Sequence, residues 1–66
     1  MQLLLNGQVI KNLKPCSLTE FLQQQTQLPE QFAIACNGAF VAQGNYDQTL
    51  LSDGDDLELL VPMQGG

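Results

Sequence analysis

The sequence predicts an α+β roll: a mixed sheet of about five strands in the order β-β-α-β-β-β, with one main helix on one face and a flexible C-terminal tail. Three observations carry this reading. Two Asn-Gly pairs, Asn6-Gly7 and Asn37-Gly38, each lie between short apolar runs, the strongest local signal for a two-residue hairpin. One segment alone, Ser17 to Leu22, joins a helix-capping pattern to helical apolar spacing. The chain has 66 residues, which is room for a single core and no second lobe.

Taken in order, Met1 to Leu5 reads as a strand, with Met1, Leu3 and Leu5 on one phase of its alternation. Asn6-Gly7 turns the chain, and Gln8 to Leu13 returns antiparallel, carrying Val9, Ile10 and Leu13. Pro15 ends that strand, since it has no amide to give a ladder. Ser17-Leu18-Thr19-Glu20 has the form of a capping box, in which a Ser hydroxyl and a Glu carboxylate each satisfy an orphan amide at the helix start. Leu18, Phe21 and Leu22 then fall at i, i+3 and i+4, with Leu28 on the same side. Gln23, Gln24, Gln25 and Gln27 supply the wet face, glutamine being a good helix former. Pro29 follows the last turn.

Phe32 to Cys36 is a nearly continuous apolar run, expected of a strand buried on both faces. Asn37-Gly38 makes the second hairpin, and Ala39 to Ala42 returns from it. Gly44 to Leu51 has no clear period and is expected to cross the surface with Tyr46, Leu50 and Leu51 turned inward. Ser52-Asp53-Gly54-Asp55 is a turn, and Leu57 to Val61 is the last strand, with Leu57, Leu59 and Val61 on one phase. Its partner at the sheet centre is expected to be the first strand, running parallel. Both are apolar on both phases, so each touches something on both faces. One helix covers one face only, which leaves Leu60 in an exposed apolar patch of the kind that marks a docking surface.

Composition narrows the function. Seven acids stand against two lysines, with no Arg and no His, for a formal charge of −5. This balance excludes the phosphate-neutralising surface that nucleic acid requires. It also removes the side chains that usually carry acid–base chemistry near neutral pH. Cys16 and Cys36 are too few for a disulfide framework. Cys16, just before the helix and two residues from Lys14, is a candidate nucleophile, whereas Cys36 reads as core filling. No apolar run approaches the roughly 18 residues of a membrane span, and no signal segment opens the chain, so a cytoplasmic location without membrane attachment is expected. No metal site is expected either.

The chain ends Pro62-Met63-Gln64-Gly65-Gly66, directly after the last predicted strand. Together with the Asn6-Gly7 hairpin, the segment Ile34-Ala35-Cys36-Asn37-Gly38 and the Asp53-Gly54-Asp55 turn, this ending resembles the ubiquitin-like β-grasp family. Within it, the likeness is to the bacterial sulfur carriers of thiamine thiazole synthesis, ThiS, and it covers essentially the whole chain. One departure is local. After the fourth strand these carriers often show a Pro-Arg pair and then an aromatic, where this chain has Ala42-Gln43-Gly44-Asn45-Tyr46 and keeps only the aromatic.

The resemblance implies a β-grasp domain over residues 1–62 and a flexible Gly-Gly tail over 63–66. It implies no enzyme but a protein co-substrate, with no cofactor bound by the chain itself. A ThiF-like adenylyltransferase would use Mg-ATP to activate the carboxylate of Gly66. A cysteine-derived persulfide donor would convert it to a thiocarboxylate, and a ThiG-like thiazole synthase would take the sulfur. Gly65, Gln64, Met63 and Pro62 would insert into the partner. Five extended residues from Pro62 reach roughly 17 Å, and glycine lets walls close on its backbone. Leu60, Glu58, Asp55 and Asp56 are the docking candidates, and with Asp47 and Asp53 they form an acidic last third able to steer association. The same features fit the small subunit of molybdopterin synthase, although that protein tends to be longer and to open differently. They also fit a ubiquitin-like protein modifier joined to lysines through Gly66.

Overall fold

The computed structural model describes residues 1–26 and 28–62. Met63, Gln64, Gly65 and Gly66, the proposed tail, and Gln27, assigned above to the wet face of the helix, lie outside the described residues.

Five strands form one sheet: β1 (Leu3–Leu5), β2 (Gln8–Ile10), β3 (Ala33–Cys36), β4 (Ala39–Val41) and β5 (Asp56–Leu60). The spatial order is β2-β1-β5-β3-β4. β5, last in the chain, lies at the centre, parallel to β1 and antiparallel to β3. Both hairpins turn on the expected pairs. Asn6 and Gly7 have φ of 51° and 82°, and Asn37 and Gly38 have 53° and 85°. Positive φ at both central positions is what a type I′ turn demands, and its twist matches that of the strands it joins.

β2 is shorter than the sequence predicts, ending at Ile10 rather than Leu13. Asn12 takes a left-handed φ of 62° and breaks the ladder, yet the Leu13 amide still donates to the Met1 carbonyl at 2.9 Å. Helix α1 (Leu18–Gln23) is held at its start by the complete capping box. The Glu20 amide donates to Ser17 Oγ at 3.1 Å, and the Ser17 amide donates to Glu20 Oε1 at 2.9 Å. The helix stops at Gln23, earlier than its polar face predicts. Gln24 is the C-cap and Gln25 lies beyond it, its side chain donating to the Phe21 carbonyl.

Leu18, Phe21 and Leu22 from α1 pack with Leu3, Ile34 and Leu57 from the sheet and with Leu51 from the connection before β5. Leu28 and Phe32 join from the edge. Leu51 is buried, but Leu50 is 76% exposed, against expectation. The segment Thr49 to Leu51 is extended beside Cys16 to Leu18, through bonds from the Leu18 amide to the Thr49 carbonyl and from the Leu51 amide to the Cys16 carbonyl. Alternation along it turns Leu51 inward and therefore Leu50 out. Before it, Gln43–Gln48 forms a 3₁₀ helix with Tyr46 half-buried, an element the sequence does not announce. Val61, predicted to end the last strand in phase with Leu57 and Leu59, lies past the end of β5 and is 57% exposed.

Removing the cap should be measurable in so small a domain. Ser17→Ala is expected to lower the unfolding free energy by about 1 kcal/mol, read from the urea midpoint at unchanged slope. Leu57→Ala, which empties the centre of the core, should cost about 2–5 kcal/mol and leave much of the chain unfolded at room temperature.

Candidate functional site

Strand register divides the sheet into two faces. Pairing of Leu5 with Leu57, Leu57 with Cys36 and Leu59 with Ile34 places these residues on the helix side. The complementary set, Val9, Leu4, Asp56, Glu58, Leu60, Ala33, Ala35 and Phe40, lies on the open side. Phe40, Ala35 and Glu58 form one row across the sheet, and Ala33 with Leu60 the next.

This open face is not uniformly polar. Phe40 is 75% exposed and Leu60 40%. With Gln31, Phe32, Ala33, Val61 and Pro62 they line a mainly apolar hollow of about 340 Å³. Leaving a Phe side chain in water forgoes about 1.5–3 kcal/mol of burial, so a cluster of such residues marks a contact surface. The hollow lies at the end of β5 from which the chain continues past Pro62. Two smaller hollows adjoin it there, and Glu30 and Gln31 line both. No basic residue lines any of the three. Lys11 is near the opposite end of the sheet, beside Met1, Gln2 and Asp53.

Of the docking candidates, Leu60 and Glu58 are exposed on the open face, and Asp56 is exposed at the start of β5. Asp55 is half-buried and has a structural task. Its Oδ1 accepts from Asn37 Nδ2 at 3.0 Å and its Oδ2 from the Ser52 amide at 2.8 Å. Asp53 Oδ1 similarly accepts from the Gln2 amide at 2.8 Å. These turn carboxylates precede β5, so the length of that strand separates them from Pro62, although the sequence places them close to the tail. The residues that sequence reasoning passed over are Phe40 and Val61. Alternation shows that Phe40 and Val41 face opposite ways, but only the register with Ile34 and Ala35 tells which one meets the core.

The surroundings of both thiols favour the protonated form over the thiolate. Burial, and then the charge of Glu20, push Cys16 above the ordinary thiol range. Burial, followed by Asp55 and Asp56, does the same to Cys36. No group of three His, Cys, Asp or Glu side chains suited to a metal occurs among the described residues, and no helix there is long and apolar enough to cross a membrane.

A five-stranded mixed sheet with parallel first and last strands, wrapped about one helix, is the ubiquitin-like β-grasp roll. Residues 3–66 match the ThiS family, and the chain belongs to it. Similar solved structures include the crystal structure of the thiamine biosynthesis protein ThiS from Geobacter metallireducens, 29% identical over the whole of both chains with a TM-score of 0.81. The solution structure of a thiamine biosynthesis protein from the same organism is also 29% identical. That match covers all of this chain and 88% of the other, with a TM-score of 0.74. No curated protein matches the chain.

The thiol environment is directly testable. At pH 7.5 both cysteines should be alkylated by iodoacetamide more slowly in the folded chain than in urea, as followed by intact mass. Because the folded pKa lies above the unfolded one, each thiol's contribution to stability is complete below about pH 8.5. That contribution decreases as pH rises through the folded value. Equal alkylation rates in the folded and unfolded chains would contradict this assignment.

Proposed function

We propose that this chain is a sulfur carrier for the thiazole of thiamine. Its working group is the Gly66 carboxylate, and its partners are a ThiF-like adenylyltransferase, a cysteine-derived persulfide and a ThiG-like thiazole synthase. The observation that carries the proposal is a ThiS-family roll whose central strand ends beside an exposed apolar hollow. The ThiS likeness favours thiamine over molybdenum cofactor synthesis.

The chemistry needs a partner because a carboxylate is a poor electrophile. Attack of a Gly66 oxygen on the α-phosphorus of Mg-ATP gives an acyl-adenylate and releases pyrophosphate. The terminal sulfur of a persulfide then attacks the acyl carbon, and AMP leaves with the bonding pair. A thiol reduces the resulting acyl disulfide, freeing the thiocarboxylate and leaving a disulfide behind. Every acid, base and metal ion in that sequence belongs to a partner. The carrier contributes recognition. Phe40, Leu60 and Val61 dock in an apolar recess, Glu58 and Glu30 meet basic residues around it, and residues 62–66 enter the cleft. Pro62 restricts the first of these residues, lowering the entropy lost on insertion.

Incubation with the adenylating enzyme, Mg-ATP and a persulfide donor should replace one oxygen by sulfur at Gly66. The nominal mass gain equals one methionine oxidation, so exact mass or thioacid trapping is required. A change confined to Met63 sinks the proposal, and an isopeptide-linked ladder would make the chain a modifier instead. Deleting Gly66 should abolish the reaction without moving the thermal midpoint. Phe40→Ser should cost about 2 kcal/mol of partner binding, a KM roughly 30-fold higher, with stability changed by no more than about 0.5 kcal/mol.

A further inference from the structure

Asn6 stands where β1 stops, at the end of the sheet from which the carboxyl terminus departs. The parallel ladder between β1 and β5 runs through bonds from the Leu4 amide to the Asp55 carbonyl at 2.8 Å and from the Asn6 amide to the Leu57 carbonyl at 2.9 Å. Its next rung would join the Leu59 amide to the Asn6 carbonyl. At φ of 51°, Asn6 carries that carbonyl into the turn. Its side-chain Oδ1 accepts the bond instead, at 2.8 Å from the Leu59 nitrogen.

The substitution of side chain for backbone occurs twice. At the other end of β5 the Asn37 amide donates to the Asp56 carbonyl at 2.8 Å. The Asp56 amide returns the bond to Asn37 Oδ1 at 3.0 Å rather than to the Asn37 carbonyl. The two acceptor bonds are chemically alike and differ in position, and Asn37 also donates through Nδ2 to Asp55. Asn37 secures the start of the strand, whereas Asn6 secures Leu59, one residue before Leu60 and two before Val61. Past Leu57 on the β1 side, the strand has this bond and no further paired residue. On the other side, the Ala33 and Leu60 pair is the last.

We propose that Asn6 is a positioning residue for the carrier reaction: its carboxamide oxygen holds the end of β5 so that Val61 and Pro62 leave the sheet in one direction, toward the partner's adenylation cleft. This role rests on the function proposed above. The turn itself asks only for positive φ, which glycine supplies without strain. The carboxamide therefore serves the strand end and not the bend. A strand end released from one flank samples more directions, and that freedom must be given up on insertion, which weakens productive binding and leaves the chemical step unchanged.

The test compares Asn6→Gly, Asn6→Asp and Asn37→Gly with the wild type. Pyrophosphate release by the adenylating enzyme with Mg-ATP is measured below every variant's melting transition. N6G keeps the turn and loses the acceptor; its KM should rise about tenfold, the worth of one such bond, at unchanged kcat. N6D retains an acceptor oxygen and should stay within about twofold of wild type, inside the tenfold effect of the lost bond. N37G loses its acceptor and also the donor to Asp55; it should lose at least as much thermal stability and leave KM unchanged. Exchange of the Leu59 amide should accelerate in N6G and not in N37G. A wild-type KM in N6G, or an equal KM rise in N37G, overturns the positioning role while the carrier reading stands. A wild-type chain that releases no pyrophosphate overturns both, and Leu59 exchange then reports a purely structural clasp.

Discussion

The central strand of this sheet is its last, and the fold cannot close until residues 56–60 settle between β1 and β3. The bonds that achieve this join positions almost a full chain length apart, such as Gln2 to Asp53 and Asn6 to Leu59. Their loop-closure entropy must be met before the core exists. The geometry adds a second demand. Each flanking strand ends in a left-handed asparagine whose peptide turns away from β5, so two amides of the central strand would lose their acceptors. Both asparagines return an oxygen through the side chain. The residue that makes the turn thus also repairs the ladder that the turn interrupts.

With 66 residues and one α-helix among those described, the chain covers only one face of its sheet. The helix side holds a compact core of leucines, Phe21 and Ile34. The open side retains Phe40 and Leu60 in water, and Val61 is exposed past the end of β5. The arrangement separates two requirements that often compete. In the proposed carrier, stability resides in the helix-side core, and recognition is assigned to open-face residues outside that core. The acidic charge divides similarly. Asp53 and Asp55 are spent on backbone amides and a side-chain amide at the start of β5, and Glu58 and Glu30 remain at the surface nearer the exit of the chain.

Much of the architecture is legible in the sequence because local chemistry dictates it. Asn-Gly imposes its turn type, and Ser17 with Glu20 specifies where the helix begins. The parallel centre follows from two strands that are apolar on both phases. The 3₁₀ helix at Gln43–Gln48 is not legible, since no apolar period or cap announces a short 3₁₀ run of this kind. Leu50 misleads because adjacent leucines look equally apolar, and only the extended pairing beside Cys16 to Leu18 decides which one is buried. The site is legible at Leu60 and Glu58 but not at Phe40, whose facing depends on register with a strand that the hairpin alone does not orient. The placement of Asp53 and Asp55 is hidden for a simpler reason: nearness in sequence becomes distance when the residues between lie in an extended strand.

The parallel pairing of β1 with β5 has a practical corollary. Two strands that run the same way begin at one pole of the domain and finish at the other, so Met1 and Pro62 lie at opposite ends of the sheet. A label, surface tether or fused domain joined to the amino group would therefore lie a strand's length from the hollow around Leu60. The molecule can be held by its first residue while the end of β5 remains open.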